Sequence, residues 1–456
     1  MNHQSNNSKI IDPFLLKVLE QHRGQSEFTD ILRSIQNEQN EIVDYDIEKN
    51  MIIQGCAGSG KTMVLFHRLA NILYNIEISS KIITANRIAV IIPNDNFRNY
   101  IKNLTWSLGV DNIRTYTMDE YLLSKVEDVI KRIFKSERSE IIGNNKRDRK
   151  KASHALLIDR IRRNMAGDTS ESKEVVFNED VAAGLLRFIT KYEETRRRMI
   201  TERNIEQERR IELKRPGKDP EHDKWLKESL KKIRKYREDA IEQFVSDYLD
   251  GKLNRDYMIG FLNAICAKKE LSLYKPGSDD LVMIDEGQDY GYLEYVALKA
   301  ISPDCIFNIY GDTDQKIYER GVAEWDSVRE LFDAHYFELN QDYRNSNQIV
   351  DFVNKTLNKN IFSVGFSTKD VEEVDLNKLP VYLEYEDKIL KHNVAIITEK
   401  PEIYRGISEP IKILTVKQIK GLEFDAVFVS PEISNEGDNY RYVSCTRALD
   451  HLYILK

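Results

Sequence analysis

Residues 55–62 read GCAGSGKT and stand between an apolar run, NMIIQ (50–54), and a helical pattern, MVLFHRLANILYN (63–75). The eight residues satisfy the phosphate-loop pattern G-x-x-x-x-G-K-[ST]. They also occupy the position that such a loop requires, after an apolar strand and at the start of a helix. The stretch therefore predicts a nucleoside triphosphate site in a parallel α/β fold.

Each residue type in this loop has a physical task. Glycines allow the backbone N–H groups to turn inward around the β- and γ-phosphates, and the helix N-terminus adds a partial positive charge. Lys61 would bring a mobile charge to the β and γ oxygens, and the Thr62 hydroxyl is placed to ligate Mg²⁺. The residues expected to hold ATP here are Gly55, Gly58, Ser59, Gly60, Lys61 and Thr62.

A second apolar run, DLVMIDE (280–286), ends in two acids. As a buried strand it would deliver Asp285 and Glu286 at its carboxyl end, where ligands collect in open α/β sheets. Asp285 can hold Mg²⁺, usually through water, and Glu286 can polarise the attacking water as a general base. Two adjacent acids alone mean little, but downstream of a phosphate loop they indicate hydrolysis of a nucleoside triphosphate.

Apolar runs alternate with helical patterns over most of the chain. Further strands are expected in IAVIIP (88–93), CIFNIYGD (305–312), HNVAIIT (392–398), AVFVS (426–430) and LYILK (452–456), and a helix in NFRNYIKNLTWSLG (96–109). This alternation predicts an α/β fold of parallel sheets covered on both faces by helices.

The alternation stops between about residues 126 and 260, where the sequence is charged and has helical apolar spacing. We expect an inserted helical domain or arm here, or else a solvated helix pair without a partner. The segment KRPGKDPEHD (214–223) contains two prolines and a glycine, which suggests the tip of a hairpin between two antiparallel helices.

Composition limits the function classes. The 456 residues carry a net charge of -7, but residues 131–256 alone carry +8 and the rest of the chain -15, so a nucleic-acid partner is not excluded. No apolar run is long enough to cross a bilayer and no signal peptide is visible, so a cytoplasmic location without membrane association is expected. The four cysteines are far apart and show no metal-ligand spacing, which argues against a zinc site.

Six motifs follow one another in the order found in superfamily 1 helicases. They are Gln39 in IQNEQNEIV, DEGQD (285–289), GDTDQKIY (311–318), YRN (343–345), TVKQIKGLEFD (415–425) and YVSCTRA (442–448). With the phosphate loop, these motifs make the chain resemble the UvrD/Rep branch of that superfamily everywhere outside 126–260. The resemblance implies an ATP-dependent DNA helicase with two RecA-like domains.

The resemblance also implies roles for individual residues. Gln39 would read the adenine edge, Tyr343 would stack on the base, and Glu423 would contact the surroundings of the sugar or phosphate. Gln315 would sense the γ-phosphate from across the cleft, while Arg344 and Arg447 would neutralise its charge as arginine fingers. Single-stranded nucleic acid would contact Pro93, Asn94, Phe97, Tyr116, Thr117, Tyr318 and Trp325, although burial of these aromatic residues in the core is the alternative.

The implied domain organisation is compact. Residues 1–125 and 257–336 would form the first RecA-like domain, 126–256 the insertion and 337–456 the second domain. Only 71 positions separate Arg344 from Thr415, so the 2B subdomain typical of UvrD/Rep members must be absent or vestigial. Met63 and Lys417 also replace an arginine and a histidine common in that branch.

Two classes of function remain open from the sequence. The first is translocation on single-stranded DNA, 3′ to 5′ by family analogy, including action at junctions of single and double strands. The core motifs also resemble those of HelD-type ATPases that release RNA polymerase. This resemblance is limited to the core, because a preamble of about 30 residues is not expected to supply the long N-terminal coiled coil of those proteins. The second class is therefore an ATP-driven partner of RNA polymerase or of a nuclease in DNA repair or phage defence.

Overall fold

The computed structural model describes residues 38–74, 83–93, 98, 113–135, 176–212, 220–364, 370–407 and 409–456. The chain divides into two compact units. The first contains the described residues up to Thr117, together with Asp279–Val296 and Asp304–Lys456. The second contains the described residues of Met118–Ser278 and Ala297–Pro303. The division into 1–125 with 257–336, 126–256 and 337–456 stays a prediction.

The first unit contains a six-stranded sheet that carries the phosphate loop. Its strands are β1 (Met51–Gly55), β2 (Ile88–Ile91), β3 (Arg114–Tyr116), β4 (Leu281–Ile284), β5 (Ile306–Gly311) and β6 (His335–Leu339). Their order is β3-β2-β4-β5-β1-β6 and every pair is parallel. All residues of β2, β4 and β5 are buried, as expected for strands covered on both faces.

A second sheet in the same unit is also parallel. The strands that follow β6 are β7 (Gln341–Asp342), β8 (Phe362–Ser363), β9 (Glu372–Val374), β10 (Val394–Ile397), β11 (Lys412–Leu414), β12 (Phe424–Val429) and β13 (Ala448–Leu455). The sheet order is β11-β10-β12-β13-β9, while β7 and β8 form a separate pair. The predicted α/β fold class is thus confirmed.

Helices connect these strands and make up the second unit. They are α1 (Lys61–Tyr74), α2 (Met118–Ile133), α3 (Glu179–Glu212), α4 (Pro220–Tyr248), α5 (Arg255–Ala267), α6 (Tyr292–Ile301), α7 (Asp326–Phe332), α8 (Asn347–Leu357), α9 (Leu379–Glu384), α10 (Val416–Ile419) and α11 (Asp438–Cys445). Residues 38–44 are also helical. The helix expected at 96–109 lies outside the described residues, apart from residue 98.

The second unit is built around the helix pair α3 and α4. Phe188 contacts Phe244, and Tyr192 stacks on Tyr236 with ring centroids 5.8 Å apart. Nearer the other end of the pair, Arg210 lies 4.7 Å from the centre of the Trp225 ring. Because early residues of α3 meet late residues of α4, the two helices are antiparallel, as the sequence predicted. The turn between them lies outside the described residues.

Two remaining expectations concern cysteines and membranes. The four cysteines are free, and Cys266 alone among them is not buried. Among the helices of the described residues, none has the length and apolar character needed to cross a membrane.

Candidate active site

The phosphate loop turns from β1 into α1 with two glycines in the left-handed region. Gly58 has φ 71° and Gly60 has φ 80°. A Cβ at Gly58 would overlap the Asp342 carboxylate, and one at Gly60 would overlap the Tyr343 hydroxyl. Glycine is therefore required at both positions, by backbone conformation and by the close approach of the segment after β6.

Groups of the protein itself bond to the loop in this structure. Lys61 is 8% exposed, and its Nζ donates to the carbonyl oxygens of Gly55 at 2.8 Å and Cys56 at 2.9 Å. The Ala57 N–H donates to the Tyr442 hydroxyl at 2.9 Å. A phosphate would have to replace these bonds, because it needs the same ammonium group and the same N–H.

The predicted metal ligands lie next to each other. The Thr62 hydroxyl donates to Asp285 Oδ2 at 2.9 Å, and the Glu286 N–H donates to Asp285 Oδ1 at 3.0 Å. Burial, with the charge of Glu286, raises the pKa of Asp285. A buried carboxylate beside a hydroxyl is an oxygen donor set that fits Mg²⁺, which would relieve the cost of this charge.

Glu286 adopts a strained backbone conformation with φ 51°. A non-glycine residue in this region costs on the order of 1–3 kcal/mol and is often found at active sites. Its Oε2 accepts from Gln288 Nε2 at 2.6 Å and lies 3.8 Å from Lys420 Nζ. Burial alone would raise the pKa of Glu286, but the charges of Lys420 and Lys61 outweigh it and lower the pKa. The carboxylate is thus kept ionised, as a general base requires.

Two arginines from the segments beside β13 and β7 lie near the same site. Arg447, immediately before β13, is 3% exposed, and its Nη2 donates to Gln315 Oε1 at 3.2 Å. Gln315 in turn donates to Asp312 Oδ2 at 2.8 Å. Arg344 forms an ion pair of 2.7 Å with Glu423. Burial and the proximity of Arg344 lower the pKa of Arg447, which marks a site prepared for negative charge.

The residues predicted to read the base also meet at the loop. Gln39 Nε2 donates to the Ser59 carbonyl at 3.2 Å, and Gln39 is 5% exposed. Tyr343 is buried, and its hydroxyl approaches Gly60. The structure thus brings together the ATP-site residues that the motifs singled out, while their individual roles stay predictions.

Four contributors were not predicted. Asp342 and Tyr442 contact the phosphate loop, and Lys420 bonds to Asp289. Arg68 donates to the Tyr45 carbonyl, in the segment that follows Gln39. Asp342, Tyr442 and Lys420 lie within or beside the helicase motifs, so their positions in the sequence could have indicated that they belong to the site. Arg68 lies in the middle of α1, and the sequence carried no signal for its role.

The predicted nucleic-acid residues are more scattered. Pro93, Tyr116, Thr117 and Tyr318 are partly exposed, and Lys420 Nζ lies 5.5 Å from the centre of the Tyr318 ring. Asn94 and Phe97 lie outside the described residues. Trp325 corrects the expectation of base stacking, because it is 4% exposed and its indole donates to Gln54 Oε1 at 2.7 Å. Its ring packs in the core and offers no face to a base.

Two family models match the chain. The UvrD/REP helicase N-terminal domain matches residues 35–332, and the viral superfamily 1 RNA helicase core domain matches residues 259–456. The first match covers about two thirds of the chain. No curated protein matches the sequence.

Solved structures of viral helicases are similar over part of their length. Arterivirus nonstructural protein 10 (helicase) has 18% identity and a TM-score of 0.27, over 39% of each chain. The PRRSV helicase has 14% identity and a TM-score of 0.27, over 40% of this chain and 35% of its own. The complex of the Arterivirus protein with DNA has 17% identity and a TM-score of 0.26, over 38% of this chain and 39% of its own. The chain thus spans about two fifths of the length of these helicases.

Proposed function

The chain belongs to the UvrD/REP helicase family, and from this premise we propose that it is a nucleic-acid-dependent ATPase that translocates on single-stranded DNA. ATP would be hydrolysed between two RecA-like domains, formed by 1–125 with 257–336 and by 337–456. The observation that carries the proposal is the meeting of Arg447, from the second sheet, with Gln315 beside the phosphate loop and Glu286. Hydrolysis would then depend on how the two sheets approach each other.

The side chains in the site divide the work. Lys61 and the loop N–H groups would bind the phosphates, and Thr62 and Asp285 would hold Mg²⁺, which would supply charge neutralisation for the phosphates. Glu286 orients the attacking water and accepts its proton. Arg344 and Arg447 stabilise the negative charge of the transition state, while Gln39 and Tyr343 contact the base. Movement 3′ to 5′ and action at strand junctions are proposed from family membership.

The proposal is tested by ATP hydrolysis with and without nucleic acid. We expect single-stranded DNA to stimulate the purified chain more strongly than duplex DNA or RNA, with Lys61→Ala as the blank. Glu286→Gln should lower kcat by at least about 10²-fold, which is typical of a lost general base. It should still bind ATP in a calorimetric titration. Full turnover by Glu286→Gln would refute the assignment of the general base.

The nucleic-acid dependence is tested separately. If ATP is hydrolysed at one rate with every nucleic acid while Lys61→Ala is inactive, the ATPase assignment stands and the DNA motor is refuted. A protein partner, such as a nuclease or RNA polymerase, would then be the stimulus to examine.

A further inference from the structure

One cluster of ligand-type side chains lies on the second sheet and takes no part in the proposed ATP site. Glu386 is in a π-helical turn, Tyr385–Ile389, that continues α9. His392 precedes β10, and His451 is in β13. π-helical turns are rare and are frequently found at functional sites.

The three side chains converge on one carboxylate. His392 Nδ1 lies 2.7 Å from Glu386 Oε2, and His451 Nδ1 lies 2.8 Å from Oε1 and 3.0 Å from Oε2 of the same carboxylate. The two imidazole rings are 5.0 Å apart between centroids. One ligand atom from each residue can be chosen so that all three lie within 4.8 Å of one another.

The surroundings of the carboxylate resemble those of a metal ligand. Its second oxygen, Oε1, accepts a hydrogen bond from the Tyr453 hydroxyl, an outer contact of the kind that orients ligating carboxylates. The Glu386 side chain is fully buried, whereas those of His392 and His451 are 22% and 15% exposed. Solvent can therefore reach the histidine side of the cluster, where water could complete the coordination of an ion.

The donor set selects the class of ion. Mg²⁺ and Ca²⁺ prefer ligands that are all oxygen, whereas two imidazole nitrogens and one carboxylate suit Zn²⁺ and the neighbouring divalent transition ions. Three protein ligands and a solvent position are the common composition of open zinc sites.

We propose that Glu386, His392 and His451 form a binding site for a divalent transition ion, with Zn²⁺ as the probe. Binding at Nδ1 would use each imidazole in the neutral tautomer that carries its ring proton on Nε2, so the ion would take the place of the Nδ1 contacts with Glu386. The ion would tie the turn after α9 to β13, the strand that follows Arg447. Binding of this ion requires neither ATP nor nucleic acid.

Equilibrium dialysis against Zn²⁺, followed by elemental analysis, tests the site. Excess Mg²⁺ is included to occupy the oxygen ligands at Thr62 and Asp285. All proteins carry Cys266→Ser, which removes the one cysteine that is not buried. We expect about one Zn²⁺ per chain that is lost in His392→Asn and His451→Asn. The matched control is His222→Asn, on α4, which should keep the ion.

Visible absorption of bound Co²⁺ reads the coordination directly and needs no activity. We expect the d–d spectrum of a low-coordinate ion in the wild type and in His222→Asn, and its loss in His392→Asn. Tyr453→Phe keeps all three ligands and should weaken binding roughly 10- to 100-fold. Circular dichroism in chelator checks that each variant is folded.

Two results would overturn the proposal. The first is binding of less than a stoichiometric amount of Zn²⁺ by the folded wild type. The second is equal Zn²⁺ binding by His392→Asn and His222→Asn. Either would mean that the cluster is a hydrogen-bonded network in which both histidines donate to a buried carboxylate without an ion.

Discussion

At the scale of the residue, Asp342 places a negative charge against the loop that should receive phosphates. It is 1% exposed and its Oδ1 accepts N–H groups of Arg344 at 2.8 Å and Asn345 at 3.0 Å. Burial is the main cause that raises the pKa of Asp342 to about 6, from an ordinary value of 3.8. The ionised carboxylate is therefore costly in this conformation, and it would repel a triphosphate at Gly58.

Replacing this charge should stabilise the protein in a pH-dependent way. Because the folded pKa is raised, the folded state keeps its proton longer than the unfolded state, and stability is lost as pH rises from about 4 to about 6. The penalty above pH 6 is about 3 kcal/mol by linkage. Asp342→Asn removes this penalty and keeps an acceptor oxygen. The free energy of unfolding of the variant should therefore exceed that of the wild type by the whole penalty at pH 8 and by less at pH 5. ATP should also bind more tightly to this variant.

Thermal unfolding at pH 5 and pH 8 and calorimetric titration with ATP provide the measurements. Asp326→Asn, whose side chain is 82% exposed on α7, is the matched control and should change neither quantity by much. A gain in Asp342→Asn of equal size at both pH values would contradict the assigned pKa. Weaker ATP binding would contradict the repulsion.

Some residues of the site are predictable from the sequence and others are not, for physical reasons. The loop glycines, Thr62 and the acids after β4 were predictable because phosphate and Mg²⁺ chemistry dictates both residue type and spacing. The left-handed backbone of Glu286 was not predictable, since no local pattern announces it. The meeting of Glu386, His392 and His451 was not predictable either, because the fold brings His451 to the other two from 59 and 65 positions away in sequence.

At the scale of the element, α1 is fastened to the segment after Gln39 by one buried arginine. Arg68 is 1% exposed and donates to Asn308 Oδ1 at 2.8 Å, within β5. Its other nitrogens donate to four carbonyl oxygens, those of Ile42, Val43, Tyr45 and Asp46. The helical residues 38–44, which carry Gln39, are thereby held against the helix that starts at the phosphate loop.

Loss of this connection should affect nucleotide binding more than turnover. In Arg68→Met the buried carbonyls lose their donor, at a cost of roughly 1–3 kcal/mol for each one left without a partner. The Gln39 segment then loosens, so we expect KM for ATP to rise about fivefold or more while kcat changes little. The melting temperature should fall.

Arg87→Met provides the matched control for this prediction. Arg87 also makes a two-point contact, to Asp280, but half of its side chain is exposed, so its loss should cost at most about 1 kcal/mol. Arg68→Lys keeps a buried cation and serves if Arg68→Met does not fold. An unchanged KM in a folded Arg68 variant would show that Arg68 is structural only.

Elements were more predictable than their boundaries and partners. The strands at 51–55, 281–284 and 306–311 were expected from their apolar runs, because strands buried on both faces need no alternation. Their spatial order was not derivable from those runs, since β1 pairs with β5 and β6 from more than 250 positions away. That order depends on which apolar faces the helices cover, a property of the whole core.

At the scale of the whole molecule, charge is divided unequally along the chain. Residues 131–256 carry +8 and the remainder -15. Between residues 224 and 235, α4 has exposed basic residues in every turn, and three of them, Lys227, Lys231 and Lys235, follow one another at intervals of four and therefore share one face. A polyanion would be attracted to this face, while the acidic remainder would repel it.

Neutralising that face should weaken nucleic-acid binding without affecting the ATP site. We expect Lys227→Gln, Lys231→Gln and Lys235→Gln, combined, to lower affinity for single-stranded DNA and to flatten its dependence on salt. For each phosphate that is no longer neutralised, the negative slope of log affinity against log salt concentration should become shallower by about 0.7. Lys355→Gln, Lys378→Gln and Lys388→Gln, combined, change the net charge equally on exposed positions of the first unit. Fluorescence anisotropy across a salt series compares the two triple variants. Equally weakened DNA binding in both would mean that net charge alone governs affinity. Unchanged affinity in the α4 variant would exclude this face as a nucleic-acid contact.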